Sequence, residues 1–265
     1  MSLTFTILGC GSSMGVPRVA LGWGQCDPNN PKNRRRRCAL LVEKRGPRGK
    51  TTVLIDTPAD LREQLLEARV TNIDGVLFTH DHADHTHGID DLRGIFFVTK
   101  RRLHVHADPA TRRTLESRFE YCFAQRPGSL YPAILSAHDI TPPKPVRIEG
   151  AGGVIEILPI EQEHGDGTSL GFRFGTLAYS PDISGIPEAS LPALQGLDVW
   201  IVDALRPAPH PSHFSVGQAL GWIDRLQVKR GILTHMTVEL DYEELRRQVP
   251  PHVEPAYDGM TIEMP

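Results

Sequence analysis

The 265-residue chain carries 29 Lys and Arg against 32 Asp and Glu, a formal net charge of −3, and 40% of its residues are hydrophobic. This composition is typical of a globular protein with a sizeable core and excludes a chain too polar to fold. The slightly negative charge argues against a broad nucleic-acid-binding surface, and no stretch of the sequence reaches transmembrane length. We therefore expect neither a stable nucleic-acid partner nor a membrane partner.

The cysteines and the first residues bear on the cellular compartment. None of the four cysteines forms a Cys-x-x-Cys pair; they are Cys10, Cys26, Cys38 and Cys122. Such scattered cysteines favour free thiols in a reducing compartment over disulfides. The first residues lack a basic segment followed by the apolar core of a signal peptide. The expected location is the cytoplasm.

Alternating and apolar runs predict the elements of the first half. Strands are predicted at 3–8, 38–44, 51–56, 75–78 and 103–106, and helices at 59–69, 87–97 and 109–121. The segments 9–15 and 16–37 are predicted to be loops, the second ending in the run Arg34–Arg37. His104 and His106 share one face of their strand, and we interpret them as structural because nothing near them in the sequence completes a site.

The second half continues the alternation of strands and helices. Strands are predicted at 154–160, 170–174, 176–179, 197–202 and 229–234, helices at 215–226 and 241–248, and strand character within 253–263. The proline- and glycine-rich segment 125–152 is predicted to be an irregular connection within one domain, because residues of metal-ligand type continue beyond it. We therefore expect 1–265 to form a single domain.

Residues 79–85, Thr-His-Asp-His-Ala-Asp-His, concentrate side chains that bind metals. They follow an apolar strand, and no single face of a helix or strand presents His80, His82, Asp84 and His85 together. The loop can bring these side chains together only if it wraps around a bound group. A pair of metal ions fits, with His80 and His82 binding one ion and Asp84 and His85 binding the second. A solvated polar turn does not explain so dense a cluster.

Residues of the same type also follow later strands. The residues that come at or just after an apolar strand are His80, His164, Asp182, Asp203 and His235. If these strands share sheets whose ends lie together, all five side chains converge on one edge. Catalytic groups are commonly mounted in this way on a rigid scaffold.

The histidine-rich motif and the succession of later residues resemble the metallo-β-lactamase fold superfamily across essentially the whole chain. The resemblance implies an α/β fold, a four-layer αββα sandwich with two mixed β-sheets flanked by helices. It also implies a dinuclear centre in which the first ion is bound by His80, His82 and His164, the second by Asp84, His85 and His235, and both are bridged by Asp182. Such a donor set suits two divalent ions, Zn²⁺ first, with Mn²⁺ or Fe²⁺ as alternatives.

Within that superfamily the chain resembles the phosphodiesterase branch. The segment 8–17, the arginine-rich run and His213 are similar to phosphoribosyl 1,2-cyclic phosphate phosphodiesterases, and more distantly to tRNase Z. The implied reaction is attack of a metal-bridging hydroxide on a small cyclic nucleotide or ribose phosphodiester, with Asp84 in the centre and His213 as general acid. The structural zinc of those relatives is not expected, because the early loop offers only Cys26, and Val238 replaces a later histidine.

Further residues are expected to assist this reaction. Arg93 and Arg206 follow metal-ligand segments closely and Arg37 ends the arginine run, and a guanidinium fork suits phosphate. His210 competes with His213 for the role of proton donor. Asp203 is expected to orient a metal-binding histidine.

Three other functions remain open. A tRNA 3′-processing endonuclease would require a basic arm to grip tRNA, and no such insertion is visible in the sequence. A thioester or lactone hydrolase on the same dinuclear site would leave His213 and the arginines without a role. A non-catalytic nucleotide-binding protein would not require an open dinuclear centre. The expected partner is a small phosphate-containing substrate, and a homodimer is left open beside a monomer.

Overall fold

The computed structural model describes residues 2–265, which form two seven-stranded β-sheets. In chain order the strands are β1 (Leu3–Gly9), β2 (Ala39–Gly46), β3 (Gly49–Ile55), β4 (Gly75–Leu77), β5 (Leu103–Ala107), β6 (Leu135–Asp139), β7 (Val146–Ile148), β8 (Ile155–His164), β9 (Gly167–Phe174), β10 (Leu177–Ser180), β11 (Val199–Asp203), β12 (Arg230–Thr234), β13 (Val253–Pro255) and β14 (Thr261–Met264). The first sheet has the order β14-β1-β2-β3-β4-β5-β6 and the second β13-β12-β11-β10-β9-β8-β7.

The helices are short. They are α1 (Leu61–Glu67), α2 (Ala83–Thr86), α3 (Arg93–Thr99), α4 (Pro109–Arg118), α5 (Glu120–Phe123), α6 (Val216–Arg225) and α7 (Tyr242–Gln248), with 3₁₀ turns at Pro31–Asn33, Ile89–Leu92 and Glu188–Leu194. Over the described part of the chain, no helix has both the length and the apolar character needed to cross a membrane.

The two sheets pack face to face around an apolar core. Phe5 of β1 meets Phe174 of β9 edge-to-face, with 5.3 Å between ring centroids. A second core fills the space between the outer face of the first sheet and helices that contribute Leu61, Ile95 and Leu115. Both sheets contain parallel and antiparallel pairs. The predicted αββα sandwich of two mixed sheets flanked by helices is confirmed.

Several element boundaries differ from the sequence-based expectation. The segment 125–152, predicted to be irregular, contributes β6 and β7, which end the two sheets as short edge strands. The helix predicted at 87–97 begins only at Arg93, after a 3₁₀ turn. The helix predicted at 109–121 is interrupted at Phe119, whose backbone leaves the helical region. Short edge strands carry little alternating pattern, because they bury few side chains.

Candidate metal centre

Strand ends from both sheets supply the centre. His80 lies three residues beyond β4, Asp182 two residues beyond β10, and His235 one residue beyond β12. His164 and Asp203 are the last residues of β8 and β11. These side chains are buried, with exposed fractions of 6% or less. The structure therefore brings together the five strand-end residues that the sequence analysis grouped.

A first group of possible ligands consists of His80, His82, His164 and Asp182. One ligand atom from each lies within 4.8 Å of those of the others. The Nε2 atoms of His80 and His164 are each 3.8 Å from Asp182 Oδ2. His82 Nδ1 is 3.4 Å from His164 Nε2. Three imidazoles and one carboxylate thus surround a common point.

A second group consists of Asp84, His85, Asp182 and His235, again within 4.8 Å of one another. His85 Nε2 is 3.0 Å from Asp182 Oδ1, and His235 Nε2 is 3.5 Å from Asp182 Oδ2. Asp84 Oδ2 is 3.5 Å from His85 Nε2 and 3.7 Å from His235 Nε2. Asp182 belongs to both groups, so it occupies the position of a bridging ligand.

Unpaired buried nitrogens show that the centre fits metal ions. The Nε2 atoms of His80 and His235 are buried without a hydrogen-bond partner. Buried polar atoms are normally paired, and leaving one unpaired costs about 1–3 kcal/mol. Imidazole and carboxylate donors in this number suit a pair of divalent transition-metal ions.

Asp56 holds the ring of His85 through the nitrogen that faces away from the centre. Its Oδ2 is 2.7 Å from His85 Nδ1 and accepts a hydrogen bond from Thr79 Oγ1 at 2.8 Å, while its Oδ1 accepts one from Thr79 N. This contact turns His85 Nε2 toward the centre. Asp56 is fully buried beyond β3, with φ +64°, and burial raises the pKa of its carboxyl. The sequence analysis gave Asp56 no role, although it follows a buried strand as Asp203 does.

Burial and neighbouring charges set the protonation of the ligands. Burial lowers the pKa of His164 to about 4 and holds that of His80 well below its ordinary value, so both imidazoles are neutral at neutral pH. His164 Nδ1 donates to the carbonyl of Ser212 at 2.7 Å, which leaves Nε2 as the ligand atom. Burial opposes ionisation of Asp182, but His235 and His85 outweigh it and hold the pKa of that carboxyl well below its ordinary value.

His213 lies beside the centre and contacts the carboxylate of Asp203. Its Nδ1 is 2.8 Å from Asp203 Oδ2 and 3.9 Å from Asp182 Oδ2, and its ring stacks on His235 with 4.6 Å between centroids. Asp203 also places Oδ1 3.7 Å from His235 Nδ1. Asp203, His213 and His235 form a third group whose ligand atoms lie within 4.8 Å of one another. Burial lowers the pKa of His213 and raises that of Asp203.

The loop after β11 carries two more predicted residues, His210, which lies next to His213, and Arg206. The ring centroid of His210 is 5.2 Å from that of His213, and His210 Nδ1 accepts a hydrogen bond from Ser212 N. Arg206 donates to the carbonyls of Ala208 and Pro209 and so folds back along its own loop.

The structure does not bring Arg93 or Arg37 to the metal ligands. Arg93 is paired with Asp90 at 2.8 Å, and the cavities that it lines contain none of the seven predicted ligands. Arg37 is paired with Asp60 at 2.9 Å and donates to the carbonyl of Ser13. Its cavity of about 580 Å³ also contains none of the seven.

Two cavities open beside the first group of ligands. One of about 490 Å³ is lined by His80, His82 and His164 together with residues of α4 and of the turn after β8. The other, of about 590 Å³, is lined by His82, Ala83, His87, Arg118 and Phe119. Arg118, at the end of α4, donates to the carbonyl of Asp81. The sequence analysis missed Arg118, because it lies 37 residues from Asp81 and only the fold reveals the contact.

Direct contacts join the early loop to the segment after His235. The Cys26 thiol donates to the carbonyls of Val238 and Leu240 at 3.6 and 3.4 Å. The buried Arg35 donates through Nη1 to the carbonyl of Thr237 at 3.2 Å. In the sequence analysis, Cys26 in the early loop and Val238 in the later segment were the reasons for expecting no structural zinc there.

Comparisons with known proteins place these observations in a family context. A family model described as a beta-lactamase superfamily domain matches residues 51–236. A crystal structure described as a new diphosphatase from the PhnP family is 34% identical, with a TM-score of 0.89, and the match covers 100% of this chain and 98% of that one. Human tRNase Z, short form, is 19% identical, with a TM-score of 0.63 and 99% of each chain covered. At this identity it shows the shared fold alone.

Two further relatives were found. Zn²⁺-bound PqqB from Methylobacterium extorquens is 17% identical, with a TM-score of 0.73 and coverage of 98% of this chain and 100% of that one, and it likewise shows the fold alone. A Porphyromonas gingivalis (strain ATCC BAA-308 / W83) protein named octanoyltransferase is 30% identical over 259 residues, 96% of this chain and 50% of that protein. The chain thus spans about half the length of the curated relative that it matches.

Proposed function

Since this chain belongs to the β-lactamase superfamily, we propose that it is a metal-dependent hydrolase and, more narrowly, a phosphodiesterase acting on a small cyclic nucleotide or ribose phosphodiester. The observation that carries the proposal is His213, held by Asp203 at 2.8 Å beside the shared carboxylate of Asp182. The similarity to a PhnP-family diphosphatase supports chemistry on a phosphate substrate.

The residues that would hold two divalent ions are the predicted seven, namely His80, His82, Asp84, His85, His164, Asp182 and His235. Zn²⁺ is the proposed ion and Mn²⁺ the alternative, because both accept nitrogen and carboxylate ligands. Bound there, such ions supply Lewis-acid activation of water and of a phosphoryl oxygen.

His213 is the proposed general acid. Asp203 accepts a hydrogen bond from Nδ1, so Nε2 faces away from the carboxylate, and it is the imidazolium form of His213 that would deliver a proton from Nε2 to the leaving oxygen. A positioned acid of this kind contributes roughly 10²–10⁴-fold to the rate. His210, on the same loop, is the alternative donor, but its Nδ1 accepts from a backbone N–H and no carboxylate orients it.

Arg206 and Arg118 are the proposed phosphate contacts. Arg206 stands on the loop that carries His213, and Arg118 lines the cavity beside His82. A guanidinium group suits the oxygens of a phosphodiester. Arg93 and Arg37 line cavities that contain none of the predicted metal ligands, so we do not assign substrate to them.

The compartment and partner complete the proposal. All four cysteines are free in the structure, which fits a reducing compartment, and we propose the cytoplasm. The partner is a small phosphate-containing molecule that fits the cavities of about 490 and 590 Å³ beside the ligands.

A substrate panel tests the proposal. Purified protein is assayed with added Zn²⁺ or Mn²⁺ on bis-p-nitrophenyl phosphate, ribose cyclic phosphates, a dinucleotide, a precursor tRNA, a thioester and a lactone, with metal content measured in parallel. We expect turnover of the small phosphodiesters and none by Asp182→Ala. Turnover confined to the thioester or lactone, cleavage of the precursor tRNA alone, or nucleotide binding without turnover would each replace the proposal by the corresponding alternative.

A further inference from the structure

The proposed reaction leaves the arginine run 34–37 without a role at the metal centre. The four side chains differ in burial. Arg34 is exposed, and Arg36 and Arg37 are half-buried and paired with carboxylates. Arg35 is buried, with 1% of its surface exposed. A buried guanidinium has lost its contact with water, so a protein retains one only where it supplies acceptors in place of water. Arg35 is therefore the member of the run that is built into the interior.

The guanidinium of Arg35 joins the early loop to the segment that follows His235. Its Nη1 donates to the carbonyl of Thr237 at 3.2 Å, and its Nη2 donates to Oδ1 of Asn33 at 3.3 Å. Asn33 is also buried, and its Nδ2 donates to Asp241 Oδ2 at 2.6 Å. The buried positive charge is thus linked to a carboxylate through one amide group.

His235 has a backbone conformation that is uncommon for residues other than glycine. Its φ is +57°, in the left-handed region. A residue keeps such a conformation only where its surroundings hold it there. On the side toward the C-terminus, Met236 N donates to the carbonyl of Cys10 at 2.9 Å. Arg35 adds a side-chain contact one residue further on, at the carbonyl of Thr237.

We propose that Arg35 is a positioning residue for His235 and, through it, for the second of the two metal ions. The inference rests on the proposed dinuclear centre, in which His235 belongs to the second ligand group and not to the first. Because Thr237 is two residues from that ligand, fixing its carbonyl restricts the backbone that orients the imidazole. The planar fork of an arginine suits this task, since its two ends reach Thr237 and Asn33 at the same time.

Chelator competition on Zn²⁺-loaded protein tests this role by measuring the affinity for each ion. Arg35→Met keeps an apolar stem but removes the donors, so we expect the affinity for one ion to fall about tenfold or more and that for the other to stay within about threefold. Arg34→Met, at the exposed neighbour, is the matched control and should change neither affinity. Arg35→Lys keeps the charge but replaces the fork by one ammonium group, so its loss should lie between those of the wild type and Arg35→Met.

A double-mutant cycle separates positioning of His235 from a general effect on folding. His235→Asn removes the ligand itself, so adding Arg35→Met to it should cause no further loss of metal affinity. A general weakening of the fold would instead add its own loss in both backgrounds. Urea unfolding of the metal-free variants, measured in parallel, gives the change in stability separately from the change in metal affinity.

Four results would overturn the positioning role and leave the proposed function standing. They are wild-type affinity for both ions in either Arg35 variant, equal losses at both ions, additive losses in the double variant, and failure of both Arg35→Met and Arg35→Lys to fold. If only Arg35→Met fails to fold, a loss confined to one ion in Arg35→Lys supports the role. A wild-type protein that binds fewer than two ions would overturn the dinuclear centre itself, and this role with it.

Discussion

This fold carries two clusters of histidines, and the clusters differ in burial and in the charge of their neighbours. In the metal centre, His80, His85 and His235 are buried among carboxylates, of which Asp182 touches both ligand groups. At the edge of the first sheet, His104 and His138 are exposed, and the ring of His138 contacts the rings of His104 and His106. The same side chain therefore stands in two electrostatic environments within one molecule.

The pKa values of two histidines show what the carboxylates change. Burial opposes protonation of His85, but Asp182, Asp56 and Asp84 outweigh it and raise its pKa well above the ordinary value. His106 has no such partners, and its pKa falls to about 4. The carboxylates make the centre a strong site for positive charge, which metal ions can supply in place of protons. The number of histidines alone does not distinguish the two clusters.

Replacing His213 is expected to have the largest effect. His213→Ala removes the proposed acid and should lower kcat on a substrate with an alkoxide leaving group by roughly 10²–10⁴-fold. The loss should be much smaller on bis-p-nitrophenyl phosphate, because p-nitrophenolate leaves without being protonated. Steady-state kinetics on both substrates, with metal content measured, check the expectation.

His210→Ala is the matched control for that experiment, because His210 lies three residues away on the same loop. It should leave both rates within a few-fold of the wild type. Equal losses on the two substrates in His213→Ala, or loss of metal from that variant, would contradict a general-acid role.

Asp56→Asn weakens the carboxylate support of the centre and is expected to have the next largest effect. The amide no longer offers His85 a charged acceptor, so metal affinity should fall by about 10–100-fold. Chelator competition measures the affinity. Asp60→Asn, which changes a carboxylate paired with Arg37 outside the centre, should leave it unchanged. An Asp56→Asn protein with wild-type affinity would show that Asp56 acts only on folding.

How much the sequence predicts depends on how local each contact is. The ligands of 79–85 occupy one loop, and the later ligands mark the ends of apolar strands, so pattern alone identifies them. Asp56 reaches His85 because β3 lies beside β4, and His138 reaches His104 because β6 lies beside β5. Strand order is a property of the folded chain that periodicity does not encode.

For His106, whose ring stacks on that of His138 at the edge of the first sheet, we expect a smaller, pH-dependent effect on stability. Between pH 4 and 6.5 the folded chain binds fewer protons at His106 than the unfolded chain, since its folded pKa is about 4. The associated stability is complete above pH 6.5 and is lost as the pH falls toward 4. The loss is about 2 kcal/mol after allowance for partial exposure. Urea unfolding of chelator-treated His106→Gln should show a flatter pH dependence than the wild type, and parallel curves would contradict it.

Arg118→Ala is expected to have the smallest effect, and it asks whether the cavity beside His82 receives substrate. Arg118 lines that cavity with His87 and Phe119, and its removal takes away a charged hydrogen-bond donor. The expected change is about a tenfold rise in KM for a phosphodiester with a second phosphate, and little change for bis-p-nitrophenyl phosphate. Arg113→Ala, at an exposed arginine of the same helix, is the matched control. If the two variants behave alike, substrate approaches from the side of Arg206 and His213, and the cavity beside His82 remains outside the reaction.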